Sequence, residues 1–336
     1  MVMKAYPAII IVMLISLFLF YNFRVDASAE YGKQSTEYEE HLSKACRAAV
    51  NATEMKKDKT LVYLFDTEEK REKATVTFFQ TLEQGFNYVY DSNHQIELRQ
   101  HVPVLCLIDT DGYYMYYNAV YTGSDGGTYV SQTMTPINTW GYVTDNGRYL
   151  IRYYLSDYVE VTDTNTQKTC TGTYTTAYQY FHDEVGLAVL RDKETFELYK
   201  RDYIISEMNE KMEYYINQYN QSVNRVNNAG YNDYDIHYTF ELPKVKYEDW
   251  CNLLEKPAAM ALLQGIQFYD GSDYLNIYAM AGGEIDFKKG YYVNTENGDT
   301  CYHRPICSMV TEVSRYYKTK EECAKMGYFP CEICNP

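Results

Sequence analysis

The first strong pattern along the chain is an apolar run without a single charge, residues 5–23. Its length, about 19 residues, approaches the ~20 that a helix needs to cross a bilayer core. Pro7 falls in its first turn, where a missing N–H costs little. Lys4 precedes the run; Arg24, Asp26 and Glu30 follow it. This bias puts the N-terminus in the cytoplasm and residues 24–336 outside. Ala27-Ser28-Ala29 also fits the small-residue pattern of a cleaved signal peptide, and that alternative exports the same body.

Beyond the run, Tyr31, Tyr38, Leu42, Ala45 and Ala49 recur at helical spacing, which predicts an amphipathic helix over residues 30–55. Leu61 to Phe65 reads as a short strand. Asp66 with Glu69 resembles a capping box, opening a helix over 67–86 that buries Ala74, Phe78 and Leu82. Val102 to Ile108 and Tyr113 to Val120 flank the turn-forming Asp109-Thr110-Asp111-Gly112. Asp145-Asn146-Gly147 marks a second hairpin, and residues 123–127 a loop. Asp109 and Asp111 open like a calcium loop, but Tyr113, Tyr114 and Met115 supply none of the later ligands, so a plain turn is expected.

A long helix is predicted over 191–228, capped by Asp192 and ended by Gly230, with an apolar seam of Ile205, Met208, Met212, Tyr215, Tyr219, Val223 and Val226. Asp235 to Leu242 alternates as a half-buried strand ended by Pro243. A helix over 246–264, broken around Pro257, and strands over 273–293 follow. Helices and strands without βαβ alternation predict an α+β fold of long helices packed on antiparallel sheets. The expected organisation is a membrane anchor over 1–25, a helix-plus-sheet unit over 26–165, a second over 166–295, and a small module over 296–336.

Composition narrows the field. A net charge of -15, from 31 Lys+Arg against 46 Asp+Glu, argues against nucleic acid as a partner. A hydrophobic content of 46% excludes a disordered chain. Of the aromatics, 39 are Tyr and only 2 are Trp, which suits half-exposed sheets and wet interfaces. Tyr113, Tyr114, Tyr116, Tyr117, Tyr153 and Tyr154 offer ring faces to a glycan or peptide, or else line the core in alternation.

Export changes how the nine cysteines are read, because disulfides are the default in an oxidising compartment. The pairing of Cys46, Cys106, Cys170, Cys251, Cys301 and Cys323 stays open, with Cys301–Cys323 one combination. The remaining three belong to the most specific motif. His303 and Cys307 are separated by three residues, Cys331 and Cys334 by two, with 23 residues between the pairs. Two close pairs of soft ligands suit a closed, structural, tetrahedral Zn²⁺. Two disulfides are the competing use of such a tail.

The pattern His-Arg-Pro-x-Cys, the stretch Lys320-Glu321-Glu322-Cys323-Ala324, then Gly-Tyr-x-Pro-Cys-x-x-Cys-x-Pro resembles the zinc-binding domain of the Ada DNA-repair protein and related terminal modules of bacterial proteins. The resemblance covers residues 301–336 and implies His303, Cys307, Cys331 and Cys334 as zinc ligands. The methyl-accepting position of Ada is His303 here, which removes that thiolate chemistry and leaves only the metal fold. The layout of an apolar segment, an amphipathic helix and a sheet resembles pilins, particularly the larger pseudopilin-like proteins of tight-adherence systems. It implies a bacterial envelope protein, single-pass, able to self-assemble or to join other envelope proteins.

No nucleophile elbow, dinucleotide or phosphate-binding loop is present. His41, His94, His101, His182 and His237 are scattered, and an enzyme is not expected. Asn51-Ala52-Thr53 and Asn220-Gln221-Ser222 fit the glycosylation triplet.

Overall fold

The computed structural model describes residues 32–54, 56–58, 61–183, 185–228, 239–267, 274–282, 291–296, 299–303, 315–317 and 319–331. It divides into two units, residues 1–283 and 284–336. The apolar run 5–23 and Gly230 lie outside the described residues.

In the first unit the helix over residues 32–51 (α1) forms where the apolar stripe predicts it, and buries Leu42, Ala45, Cys46 and Ala49 completely. A short antiparallel pair, β1 (Lys56–Asp58) and β2 (Leu61–Tyr63), leads to α2 (Glu68–Gly85). The cap of α2 is Thr67, whose hydroxyl accepts the Lys70 N–H at 3.3 Å, and not Asp66. Asp66 instead takes the ammonium groups of Lys56 at 3.0 Å and Lys70 at 2.8 Å. Then come α3 (Ser92–Gln100) and the hairpin β3 (Val104–Asp109) and β4 (Gly112–Thr122), closed by the two residues Thr110 and Asp111. β5 (Thr128–Met134) returns along β4.

A second antiparallel sheet follows in sequence order: β6 (Trp140–Val143), β7 (Tyr149–Tyr153), β8 (Tyr158–Asp163) and β9 (Thr169–Thr173). α4 (Tyr174–Phe181) and α5 (Lys193–Asn228) come next, α5 capped by Asp192, which accepts the Thr195 N–H at 2.9 Å. α6 (Tyr247–Leu253) precedes β10 (Ala258–Gln267) and β11 (Tyr274–Gly282). These two strands extend the first sheet, giving the order β11-β10-β3-β4-β5. β3, β4 and β5 thus share one sheet with β10 and β11, strands far from them in sequence.

The central strands of that sheet, β3 and β10, are buried on both faces. Leu105 and Leu107 of β3, with Ala259, Ala261 and Leu263 of β10, pack under α1, α2 and α3 against Leu42, Phe78, Leu82 and Leu98. Val104, Cys106 and Ile108, with Ala258, Met260 and Leu262, face the other way. There they meet Trp140, Ile151 and Val161 of the second sheet, Met208 and Met212 of α5, and Trp250 of α6. This two-sided burial explains a difference from expectation. Residues 258–264 form a central strand, not the end of a helix, because an Ala-Ala-Met-Ala-Leu-Leu run with both faces covered shows no alternation. The seam of α5 is turned slightly: Ile204 and Ile216 are buried, while Ile205 and Tyr215 are only partly so. Of the expected strand 235–242, residues 235–238 lie outside the described residues, and 239–246 run as a chain without strand pairing.

Two polar atoms sit in this core with no hydrogen-bond partner among the described residues, the Tyr113 hydroxyl and the Trp140 indole N–H. Both side chains are fully buried, with their rings stacked at 6.0 Å. Because an unpaired buried hydroxyl costs more than it returns, Tyr113→Phe is expected to be neutral or to raise stability by about 1 kcal/mol in urea unfolding. A loss of that size would show that the hydroxyl has a partner.

The second unit contains β12 (Tyr291–Glu296), β13 (Asp299–His303), β14 (Arg315–Tyr317), α7 (Lys320–Lys325) and β15 (Phe329–Pro330), in the sheet order β14-β12-β13-β15. Val293, Tyr302 and Cys323 are its buried core.

The expected architecture is corrected in one element. No described helix is long and apolar enough to cross a membrane, and the apolar run 5–23 expected to do so lies outside the described residues. Among the described residues, no group of three or more His, Cys, Asp or Glu is placed to hold a metal ion, which overturns the C-terminal zinc module as a fold element. His303 closes β13 opposite Tyr292, and Cys331 follows β15 with its N–H bonded to the Tyr302 carbonyl at 3.0 Å. Cys307 and Cys334 lie outside the described residues. The described part of this unit is organised by strand pairing around its small core.

Candidate functional site

A cleft of about 780 Å³ opens along β11, the end strand of the described five-stranded sheet. Its floor is the strand itself, Asn276 to Met280 with Gly282. The covering layers on the two sheet faces become its walls. On one side stand Glu39 and Ser43 of α1; on the other stand Lys244 and Lys246, with Asp249 on α6. Strand alternation assigns the faces. Ile277, Ala279 and Ala281 belong to the core beneath α1, whereas Tyr278 and Met280 belong to the core that includes α5 and α6.

The wall carrying the lysines has no sheet pairing, and two amide side chains supply what a neighbouring strand would. Asn220 on α5 grips Phe240 at both backbone atoms: its Oδ1 accepts the Phe240 N–H at 2.9 Å and its Nδ2 donates to the Phe240 carbonyl at 2.8 Å. Gln264 of β10 does the same for Glu241. Its Oε1 accepts the Glu241 N–H at 3.0 Å, and its Nε2 donates to the Glu241 carbonyl and to Asn276 Oδ1, the latter at 2.6 Å. Gln264 is buried, so each of these bonds replaces a bond to water. The rings of Tyr219 and Phe240 stack at 5.2 Å and add apolar contact. Pro243 then turns the chain toward Lys244-Val245-Lys246, with Val245 packed on the core and both lysines exposed.

Within the cleft, the Tyr278 hydroxyl donates to Asp249 Oδ2 at 3.0 Å, tying floor to wall. Burial, then the Asp249 carboxylate, raises the Tyr278 hydroxyl above its ordinary value, so it stays protonated and donating. The Cys46 thiol donates to the Ala279 carbonyl at 3.6 Å and fixes the strand to α1. Burial pushes that thiol up to about 12, so it is no nucleophile at neutral pH. A smaller hollow of about 270 Å³, lined by Glu241, Gln264 and Tyr274, shares Asn276 with the main cleft.

The sequence-derived candidates lie elsewhere. Tyr113 and Tyr153 are in the core between the sheets, and Tyr114 lies under the helices with the Arg71 guanidinium 4.3 Å from its ring centre. Tyr116 packs against Phe79 at 5.7 Å, and Tyr117 against Tyr215 at 4.1 Å. Tyr154 is half-buried. Alternate tyrosines of these strands thus serve opposite faces of the sheet. Cys46, Cys106, Cys170, Cys251 and Cys323 are thiols without a disulfide, so the Cys301–Cys323 combination is not formed. The Asn220 side chain is engaged with Phe240, and His237 lies outside the described residues. His101 Nδ1 bonds the Gln264 carbonyl at 2.8 Å, and burial pulls its pKa down; exposed His94 pairs with Asp91 at 2.6 Å.

Of the cleft residues the sequence marks only Pro243, as the end of a strand. The one signal available was Pro243 followed by alternating Lys-Val-Lys, which marks an exposed extended segment. Comparisons of the chain with protein-family models, with curated proteins and with solved structures give no match. The site is therefore read from its own geometry.

Proposed function

We propose that this chain is an outward-facing envelope protein without enzymatic activity, held at the membrane through residues 5–23, whose first unit binds a partner in the cleft beside β11. The observation that carries the binding role is the cleft itself, a strand edge between two preformed walls, one held by a dedicated set of side-chain-to-backbone bonds. The lining favours binding over chemistry. Of its two carboxylates, Asp249 is committed to Tyr278 and Glu39 is exposed to solvent on α1, and the thiol behind its floor is locked in its protonated form. The apolar run and the charges around it support the location.

The test places a photoreactive benzoylphenylalanine at Met280 in the full chain, expressed in bacterial cells, with the same residue at exposed Tyr121 as control. Illumination is expected to give a discrete adduct from position 280 and none from 121, and protease added to intact cells is expected to digest the body. Lack of an adduct at 280 removes the binding role. Protection from protease until lysis removes the outward orientation.

A further inference from the structure

Resting on that reading of the cleft, we propose that its occupant is a single extended polypeptide strand. It pairs main chain to main chain with β11 and turns carboxylate side chains toward Lys244 and Lys246.

The first argument is the condition of the strand edge. Natural sheets guard their end strands with charges, proline or bulges, because unpaired N–H and C=O groups recruit other chains. β11 reads Tyr-Leu-Asn-Ile-Tyr-Ala-Met-Ala-Gly from Tyr274 to Gly282 and contains neither charge nor proline. Its one register irregularity lies at the start, between the pairs Gln264↔Asn276 and Gln267↔Tyr274. From Asn276 to Gly282 the pairing with β10 is unbroken. In such an antiparallel edge, alternate residues turn both backbone groups away from the sheet. At about 3.3 Å per residue this regular stretch presents roughly 20 Å of pairing edge.

The second argument is the shape around that edge. Glu39 and Ser43 stand over one face and Lys244, Lys246 and Asp249 over the other, so the edge is the floor of a slot. A slot of this kind admits one strand, and its walls stand where the edge of another sheet would bring its own covering layers. That separates peptide capture from sheet-to-sheet dimerisation.

The third argument is charge. Side chains of an added strand alternate between the walls. One set meets the lysines and the other meets α1, with Glu39 and Ser43. Acidic residues at every second position satisfy the lysine wall, while uncharged residues suit the α1 side. Lys244 and Lys246 are exposed and two residues apart, the spacing at which one strand's like-facing side chains recur.

The test uses fluorescein-labelled seven-residue peptides against the full chain in detergent, read by anisotropy. The probes are Thr-Val-Glu-Val-Glu-Val-Thr, its counterpart with Lys for Glu, and two forms of the first with N-methyl groups on one or the other alternate set of residues. The Glu peptide is expected to bind about tenfold more tightly than the Lys peptide. One methylated form is expected to lose binding and the other to keep it, because only one set of N–H groups faces β11. Lys244→Glu with Lys246→Glu, both at the exposed rim, is expected to reverse the charge preference. No binding by the Glu peptide, or equal binding by both methylated forms, overturns the strand pairing. An adduct from Met280 in cells alongside that result would leave the cleft as a binding site for another kind of partner, so the two failures are distinguishable.

Discussion

Asp109→Ala is expected to destabilise the first unit by about 3 kcal/mol at pH 4.5, and by less at pH 8. The carboxyl group is fully buried at the end of β3 and accepts three backbone N–H groups. Leu64 N–H and Thr110 N–H reach Oδ1 at 3.1 and 2.9 Å, and Phe65 N–H reaches Oδ2 at 2.7 Å. These bonds fasten the chain entering α2 to the central sheet, and removing their acceptor leaves three buried donors. At about 1 kcal/mol net for each bond, the sum is about 3 kcal/mol. The pH dependence follows from burial, which raises the carboxyl from 3.8 to about 6 even though the three N–H groups pull it down. An acid whose folded pKa is raised stabilises the fold most when protonated. Its contribution is present below about pH 4 and is lost as the pH rises through 6. At about 1.4 kcal/mol per pH unit, that interval carries up to about 3 kcal/mol. The chain's two tryptophans, Trp140 and Trp250, both lie in the core of this unit, so their fluorescence reports its urea unfolding. A mutational loss that grows between pH 4.5 and 8 would mean that the N–H donors outweigh burial and hold Asp109 ionised.

The helices legible in the sequence are those whose burial is one-sided. α1, α2 and α5 each bury one stripe, and the stripe is the signal: Leu42 to Ala49, Ala74 to Leu82, Ile204 to Tyr219. The two tight hairpins announce themselves through Asp-Gly and Asn-Gly. α3 and α4 bury only Leu98 and Ala177 respectively, too little to leave a period, and their starts are fixed by the caps Asp91 and Thr173. β10 fails for the opposite reason, since burial on both faces erases alternation. Thr239 to Leu242 alternates like a strand, but the bonds that hold it come from Asn220 and Gln264, side chains distant in sequence and unremarkable in type. The cleft is invisible for the same reason. Its residues come from positions 39–43, 243–253 and 276–282, which no local pattern connects. In the C-terminal motif the spacing is ligand-like, two of its four positions, Cys307 and Cys334, lie outside the described residues, and the described ones bring no group of three together.

Gln264→Leu is expected to cost about 2–3 kcal/mol and to loosen the lysine wall of the cleft. The substitution roughly conserves volume, so the loss falls on hydrogen bonds. Glu241 N–H and C=O and the Asn276 carboxamide lose their shared partner, the buried Gln264 carboxamide. Asn220→Leu removes the equivalent pair of bonds one residue earlier, at Phe240. Because both side chains hold the same short segment, the second removal acts on a segment already freed by the first. The double variant is therefore expected to lose less than the sum of the singles, with a coupling of about 1 kcal/mol. Stability alone does not separate a local loosening from a general weakening of the core. Trypsin does, because Lys244 and Lys246 lie in the tethered segment and are cut only when it detaches. Faster cleavage there at urea concentrations well below the unfolding midpoint, together with weaker binding of the acidic peptide, is the expected outcome for Gln264→Leu. Unchanged cleavage with lowered stability would mean that the wall is held by the Phe240 and Val245 packing, and that the amide pair serves the sheet alone.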